Sequence, residues 1–189
     1  MTRARLITED GRVLLWPLAG WVPISRQDID NAASVDFTGL DGTYEGYAVV
    51  GSKFVPQTDG TGLSVRVQVG GSFQTASYYY ARHYHDQAST HGVAGSAAGS
   101  AIQLFNVWGN SAGENADFLL TIFGVDNAAV YKLLDCSNVL YSSTPNLVGN
   151  NTRGAYIGGV GAVTGLRFLP DGGNIASGKI ALYALTRAL

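Results

Sequence analysis

The stretch Leu63-Ser64-Val65-Arg66-Val67-Gln68-Val69 carries the clearest structural signal in the sequence. Apolar and polar side chains alternate along it, and three of the four apolar side chains are β-branched. A period of two places the apolar side chains on one face of an extended strand and the polar ones on the other. This stretch therefore predicts a half-buried β-strand.

Similar short segments recur along the chain and are separated by glycine, asparagine, aspartate or proline, which favour turns. No stretch has the length, capping residues and apolar period of an ordinary helix. Residues 88–98 are rich in alanine but also contain Gly92 and Gly95, so we expect a mobile loop there. Together these features predict an all-β, antiparallel, jelly-roll-like β-sandwich over residues 31–189. Its expected strands are Ser34–Thr38, Tyr44–Val50, Leu63–Val69, Phe73–Asp86, Ala101–Trp108, Ala116–Val125, Ala129–Leu134, Val139–Ser142, Ala162–Leu169 and Lys179–Leu185.

The composition of the 189-residue chain excludes several classes of protein. Charged residues make up 14% of it, against about 25% in an average soluble domain, while apolar residues stand at 46%. Disorder requires fewer apolar residues and a larger net charge than the −2 found here. A sequence pI near 5.8 argues against nucleic-acid binding through phosphate neutralisation. No apolar run is long enough for a signal peptide or a membrane-spanning segment, so we expect no membrane insertion.

Residues 1–30 differ from the rest of the chain. They contain 8 of the 26 charged side chains and two of the three tryptophans, Trp16 and Trp21. The apolar segment from Val13 to Trp21 is too short to bury itself. One interpretation is a first strand or arm that lies on the domain. The other is an N-terminal attachment arm that anchors Trp16 and Trp21 in a partner subunit or particle, since exposed aromatic side chains mark interfaces.

The segment around residues 78–84 supplies most of the candidate binding residues. On a strand, Tyr78, Tyr80, Arg82 and Tyr84 share one face, whereas Tyr79 and the histidines share the other. Tyrosine on a rigid sheet offers apolar area and a hydroxyl at low entropic cost, which suits sugars and protein surfaces. These four residues are therefore the candidate surface-binding set. The alternative is that most of the rings fill the interior.

His83 and His85 form a His-x-His pair whose imidazoles project from the same side of a strand. Two histidines supply only part of the ligands of a metal site, and copies of the pair around a three-fold axis would supply the rest. The alternative, which we favour, is a solvated polar face without metal. No further ligand has convincing spacing for a catalytic zinc site, and no cofactor is predicted.

Catalytic motifs are weak throughout the sequence. Glycoside hydrolysis requires two carboxylates at a defined separation, and most aspartates here lie in or near turns, where they cap backbone amides. Cys136 is the single cysteine, which excludes an intrachain disulfide, and it has no histidine near it in the sequence. We therefore assign no catalytic residue and expect the protein not to be an enzyme.

Two end segments resemble a known family. Ala33-Ser34-Val35-Asp36-Phe37-Thr38-Gly39-Leu40, followed by Tyr44-Glu45-Gly46-Tyr47, is similar to the opening strands of a β-sandwich domain of tailed-bacteriophage virion proteins. Val163–Leu169 and Gly173–Leu185 resemble the closing strands of that domain, with Ala184 where the family typically has glycine. The middle of the chain is divergent. A closing strand next to the opening strand would suit a sandwich that buries its termini.

The resemblance implies a bacteriophage virion structural protein, located in the virion and assembled in the host cytoplasm. A tail-fibre or surface-fibre component that contacts the host surface, through glycan or protein, is the leading hypothesis. A capsid decoration or tail connector protein without an adhesive role is the first alternative, and a polysaccharide depolymerase is the second. Proteins of this kind are commonly homotrimers, and residues 1–30 would attach to other virion proteins.

Overall fold

The computed structural model describes residues 20–186, together with the backbone of two short strands that precede them. All regular elements of these residues are β-strands, and none forms a helix that is long and apolar enough to cross a membrane. In chain order the strands are β1 (Leu6–Ile7), β2 (Val13–Leu14), β3 (Trp21–Ala32), β4 (Val35–Thr38), β5 (Gly46–Pro56), β6 (Thr61–Val69), β7 (Ser72–Phe73), β8 (Tyr78–Asp86), β9 (His91–Gly99), β10 (Ile102–Trp108), β11 (Ala116–Phe123), β12 (Lys132–Tyr141), β13 (Leu147–Tyr156), β14 (Val163–Pro170) and β15 (Ile175–Leu185).

The strands form two antiparallel sheets that pack face to face. The larger sheet has eight strands in the order β3-β15-β5-β11-β12-β13-β8-β9, and the smaller has β10-β6-β14-β4 with β7 paired to β6. β1 and β2 pair with each other and, among the described strands, with no other. The prediction of an all-β antiparallel sandwich is confirmed. The strand predicted from Leu63 to Val69 lies at the centre of the smaller sheet, where Leu63, Val65 and Val67 are fully buried.

An aromatic cluster fills the space between the sheets. Phe118 of β11 stacks on Phe168 of β14 with ring centroids 5.5 Å apart, and it meets Phe54 edge-on at 5.2 Å. Phe105 and Trp108 of β10 complete the cluster, and the Trp108 indole donates a hydrogen bond of 2.9 Å to the Phe54 carbonyl. These rings come from both sheets, so they hold the two layers together.

The prediction of a mobile loop over residues 88–98 is wrong, because most of that segment forms the edge strand β9. This strand pairs with β8 from Tyr78↔Gly99 to His85↔His91. Because its glycines have no side chain, atoms of the neighbouring tyrosines can lie close to the backbone of β9. A Cβ on Gly92 would lie 2.4 Å from the Tyr84 hydroxyl, and one on Gly95 would lie 2.5 Å from the Tyr80 carbonyl oxygen. The residues that suggested a loop are therefore those that let a strand approach β8.

Two further differences concern strand boundaries. The segments predicted at Ala129–Leu134 and Val139–Ser142 are one continuous strand, β12, and its neighbour β13 was not predicted. The closing strands lie next to the opening strands, as expected: β14 pairs with β4 in the smaller sheet, and β15 pairs with β5 in the larger. On its other side β15 pairs with β3, which was not among the predicted strands.

β3 also shows where the N-terminal segment enters the fold. The boundary expected at residue 30 falls inside this strand, so residues 21–30 belong to the larger sheet. Most of the segment Val13–Trp21, interpreted as a first strand or arm, lies outside the described residues. As the edge of the larger sheet, β3 carries Pro23, Arg26, Asp28 and Asp30. The opposite edge, β9, contains neither proline nor a carboxylate, lysine or arginine.

Candidate functional site

The face of β8 predicted to bind ligands points into the sandwich. Tyr78 is fully buried and Arg82 is 2% exposed, whereas Tyr80 and Tyr84 are half-buried and pack against the core. The Tyr78 hydroxyl accepts a hydrogen bond from a backbone nitrogen of the smaller sheet. Burial raises its pKa to about 12. Tyr78 and Arg82 therefore do not belong to an exposed binding surface, because this face of β8 meets the second sheet, whereas Tyr80 and Tyr84 keep part of their side chains accessible.

Arg82 begins a series of side-chain hydrogen bonds that connects the two sheets. Its Nη1 donates to Gln103 Oε1 at 3.0 Å, and Gln103 Nε2 donates to Asp171 Oδ2 at 2.5 Å. Ser64 donates to the other oxygen of Asp171 at 2.6 Å. Burial lowers the pKa of Arg82, and its Nε is buried without a hydrogen-bond partner. The guanidinium thus lies behind Gln103 and fixes the orientation of its amide.

The outer end of this series of hydrogen bonds, at Asp171, lies in a polar cleft. The cleft has a volume of about 390 Å³ and lies where β8 and β9 of the larger sheet meet the strands of the smaller one. Arg66 lines it and is oriented by a 3.0 Å hydrogen bond from its Nε to the Ser100 carbonyl. Its lining also includes Tyr80, Ser96, Gln103 and Asp171.

The cleft offers hydrogen-bonding groups rather than a catalytic pair. Tyr80 contributes a ring and a hydroxyl, Arg66 and Gln103 contribute donors, and Asp171 contributes acceptor oxygens. Asp171 is the one carboxylate in the lining, and glycoside hydrolysis uses two. A ring beside a few oriented polar groups is an arrangement that suits a small polyhydroxylated ligand.

The sequence predicts only part of this cleft. It indicates Tyr80 as a binding residue but groups it with Tyr78, Arg82 and Tyr84, and it indicates Arg66 only as a polar position of an alternating strand. Ser64 and Asp171 are 107 positions apart, and Gln103 and Asp171 are 68 apart. No local pattern links residues at such separations, so the cleft becomes visible only when the strand order is known.

The histidines lie on the opposite face of β8. His83 and His85 are both exposed on the outer side of the larger sheet, and His85 is paired in register with His91 of β9. Within residues 20–186 no group of three or more histidine, cysteine, aspartate or glutamate side chains could hold a metal ion. A site completed by symmetry-related copies stays a prediction.

The predicted tryptophan anchors are only partly described. Trp16 lies outside the described residues. Trp21, the first residue of β3, is 43% exposed on the outer side of the larger sheet, and its ring lies 6.4 Å from that of Phe123. The ring of Phe123 covers Gly46 of the intervening strand β5, where a Cβ would lie 2.5 Å from Phe123 Cδ1. The missing side chain of Gly46 leaves Phe123 free to reach toward Trp21.

The outer side of the larger sheet carries a line of exposed apolar side chains. Leu133 is 68% exposed, Phe123 is 51% exposed and Tyr79 is 46% exposed. These three line a groove of about 680 Å³, which an exposed ion pair between Asp135 and Arg153 also borders. With Trp21 they form a line across the sheet that we call the apolar row.

The sequence matches no known protein-family model and no curated protein at a significant level of similarity.

Proposed function

We propose that the chain is a structural protein of a bacteriophage virion, a tail-fibre or surface-fibre component that binds the host surface rather than catalysing a reaction. The resemblance of its end segments to virion β-sandwich domains supports the virion location. The observation that carries the adhesive role is the polar cleft between the sheets. Its ligand in this proposal is a glycan of the host envelope, and the copies of the chain form a homotrimer attached to other virion proteins.

The geometry of the cleft supports a sugar ligand. Strands β6, β8 and β10 hold Arg66, Tyr80 and Gln103, so these groups are positioned before a ligand binds and little entropy is lost on binding. Asp171 already accepts hydrogen bonds from Ser64 and Gln103, which fixes its carboxylate. A carboxylate has further acceptor positions, and these can receive a sugar hydroxyl.

Binding of the purified protein to host cell-surface polysaccharide tests this proposal. We expect Tyr80→Ala and Arg66→Ala each to weaken binding by roughly tenfold, since one hydrogen bond to a charged group or one stacked ring accounts for about that much. Tyr79→Ala is the matched control, because Tyr79 lies on the opposite face of the same strand and should leave the affinity unchanged. Protein that neither binds host cells nor blocks phage adsorption would overturn the adhesive role.

A capsid decoration or tail connector protein is the second candidate. The apolar row favours it, because exposed apolar side chains concentrated on one sheet face are typical of surfaces that contact another protein. The number of copies on the virion separates the two candidates. A regular array of copies on the capsid would support decoration, whereas a few copies at the tail would support a fibre.

A further inference from the structure

Arg66 lies directly opposite another arginine on the outer side of the smaller sheet. It is paired in register with Arg167 of β14, and like charges at directly opposed positions of two strands repel each other. Arg167 is neutralised on its other side, because its Nε and Nη2 donate to the two carboxylate oxygens of Asp36 at 2.8 and 2.7 Å. Among the ion pairs within residues 20–186, none involves Arg66. Arg66 is therefore the member of the pair whose positive charge has no carboxylate beside it.

The carboxylate of the cleft does not supply the missing negative charge. Both oxygens of Asp171 already accept hydrogen bonds, one from Ser64 and one from Gln103. The amide oxygen of Gln103 in turn accepts one from the buried Arg82. Burial lowers the pKa of Arg82, and the negative charge of Asp171 counteracts part of this effect. Asp171 thus balances the guanidinium behind the cleft, and the charge of Arg66 remains uncompensated.

The guanidinium of Arg66 is oriented at one end and available at the other. Its Nε donates to the Ser100 carbonyl at 3.0 Å, and within residues 20–186 this is the one hydrogen bond of the Arg66 side chain. The two terminal nitrogens, Nη1 and Nη2, form a planar fork that matches the two oxygens of a carboxylate. A carboxylate in the cleft can therefore bind Arg66 without breaking the bond that orients it.

We infer that the cleft binds a sugar that carries a carboxylate, such as a uronic acid, with the carboxylate on Arg66 and the sugar ring beside Tyr80. The inference rests on the proposed glycan-binding role and narrows it to acidic glycans. One carboxylate brings the single negative charge that Arg66 lacks, whereas a phosphate monoester brings nearly two. A neutral sugar would leave the charge of Arg66 uncompensated beside Arg167, and its hydrogen bonds would lack the second ionised partner.

Two glycosides that differ in one group test the inference. Methyl β-D-glucuronide carries a carboxylate where methyl β-D-glucoside carries a neutral hydroxymethyl group. NMR titration of the full-length chain gives the dissociation constant of each. We expect the glucuronide to bind roughly tenfold more tightly, as is typical of hydrogen bonds between charged groups. Salt should reduce this preference, because it screens the attraction between the carboxylate and the partly exposed guanidinium.

Three variants show whether Arg66 is the residue that selects the acid. Arg66→Gln should remove the preference, so that both glycosides bind about as weakly as the glucoside binds the wild type. Arg66→Lys keeps the charge but not the planar fork and should keep only part of the preference. Arg153→Gln is the matched control, because it removes the same charge from the outer side of the larger sheet and should leave the preference unchanged. The urea midpoint of each variant shows whether it is folded.

The possible failures are distinct from one another. Equal affinity of the wild type for the two glycosides would overturn the acidic ligand and leave the adhesive role intact. A preference that survives in Arg66→Gln would refute the assignment to Arg66, and tighter binding of glucose-6-phosphate than of the glucuronide would refute the carboxylate. If neither glycoside binds, the inference fails. Binding to host polysaccharide, measured separately, then decides whether the adhesive role fails with it.

Discussion

The hydroxyl of Tyr78 accepts a hydrogen bond of 2.8 Å from the backbone nitrogen of Val67. Tyr78 belongs to β8 of the larger sheet and Val67 to β6 of the smaller, so this bond crosses the interior of the sandwich. The same hydroxyl donates to the Gln74 carbonyl at 3.2 Å, in the turn that follows β7. One side chain thus satisfies a donor of one strand and an acceptor of a nearby loop.

Tyr78→Phe should lower the free energy of unfolding by about 1–3 kcal/mol, because it leaves the buried N–H of Val67 without an acceptor. Tyr79→Phe removes a hydroxyl from the adjacent exposed side chain and should change stability by less than about 0.5 kcal/mol. Urea denaturation of both variants measures the difference. Equal stability of the two would show that the hydroxyl of Tyr78 is dispensable.

Stability should also fall in alkaline solution through Tyr78. Burial raises its pKa from 10 to about 12 in the folded state, so the folded protein retains a proton that the unfolded chain releases. The stabilisation is complete below pH 10 and is lost as the pH rises to about 12. The urea midpoint of the wild type should therefore decrease more steeply over this interval than that of Tyr78→Phe. Parallel decreases would contradict the raised pKa. Burial also raises the pKa values of Cys136 and Tyr47, and these shifts affect the pH dependence of stability equally in both proteins.

Cys136 should react with thiol reagents only when the protein unfolds. It is 1% exposed, and burial raises its pKa to about 12, so the reactive thiolate is scarce at neutral pH. A neighbouring variant, Ser137→Cys, places its thiol on the outer face of the same strand and should react at once under native conditions. Native modification of Cys136 at a comparable rate would show that β12 opens readily.

Gly51→Ala should destabilise the sandwich by about 1–3 kcal/mol, as expected for overpacking of a filled core. A Cβ at position 51 would lie 2.1 Å from Phe118 Cε1, and that ring is held by Phe54 and Phe168. Gly159→Ala is the control, since a Cβ there meets nothing within 4 Å. Thermal unfolding of the two variants checks the prediction, and a Gly51→Ala protein as stable as the control would refute it.

The sequence predicted the fold class because alternation in segments such as Leu63–Val69 depends on local chemistry alone. It could not predict which face of β8 is buried, because tyrosines occupy both faces and Arg82 is a residue usually found outside. That choice depends on the second sheet, which presents Val67 to Tyr78 and Gln103 to Arg82. The polar cleft was missed for the same reason, since its groups come from strands far apart in the chain.

The contrast between the two edges of the larger sheet limits how the molecule can assemble. Proline and charged side chains along β3 discourage another strand from pairing there, whereas β9 offers its free backbone groups without such protection. Antiparallel pairing of β9 with β9 of a second copy would join two sheets into one and leave only β3 edges outside. Growth of the larger sheet by strand addition would therefore end at a pair.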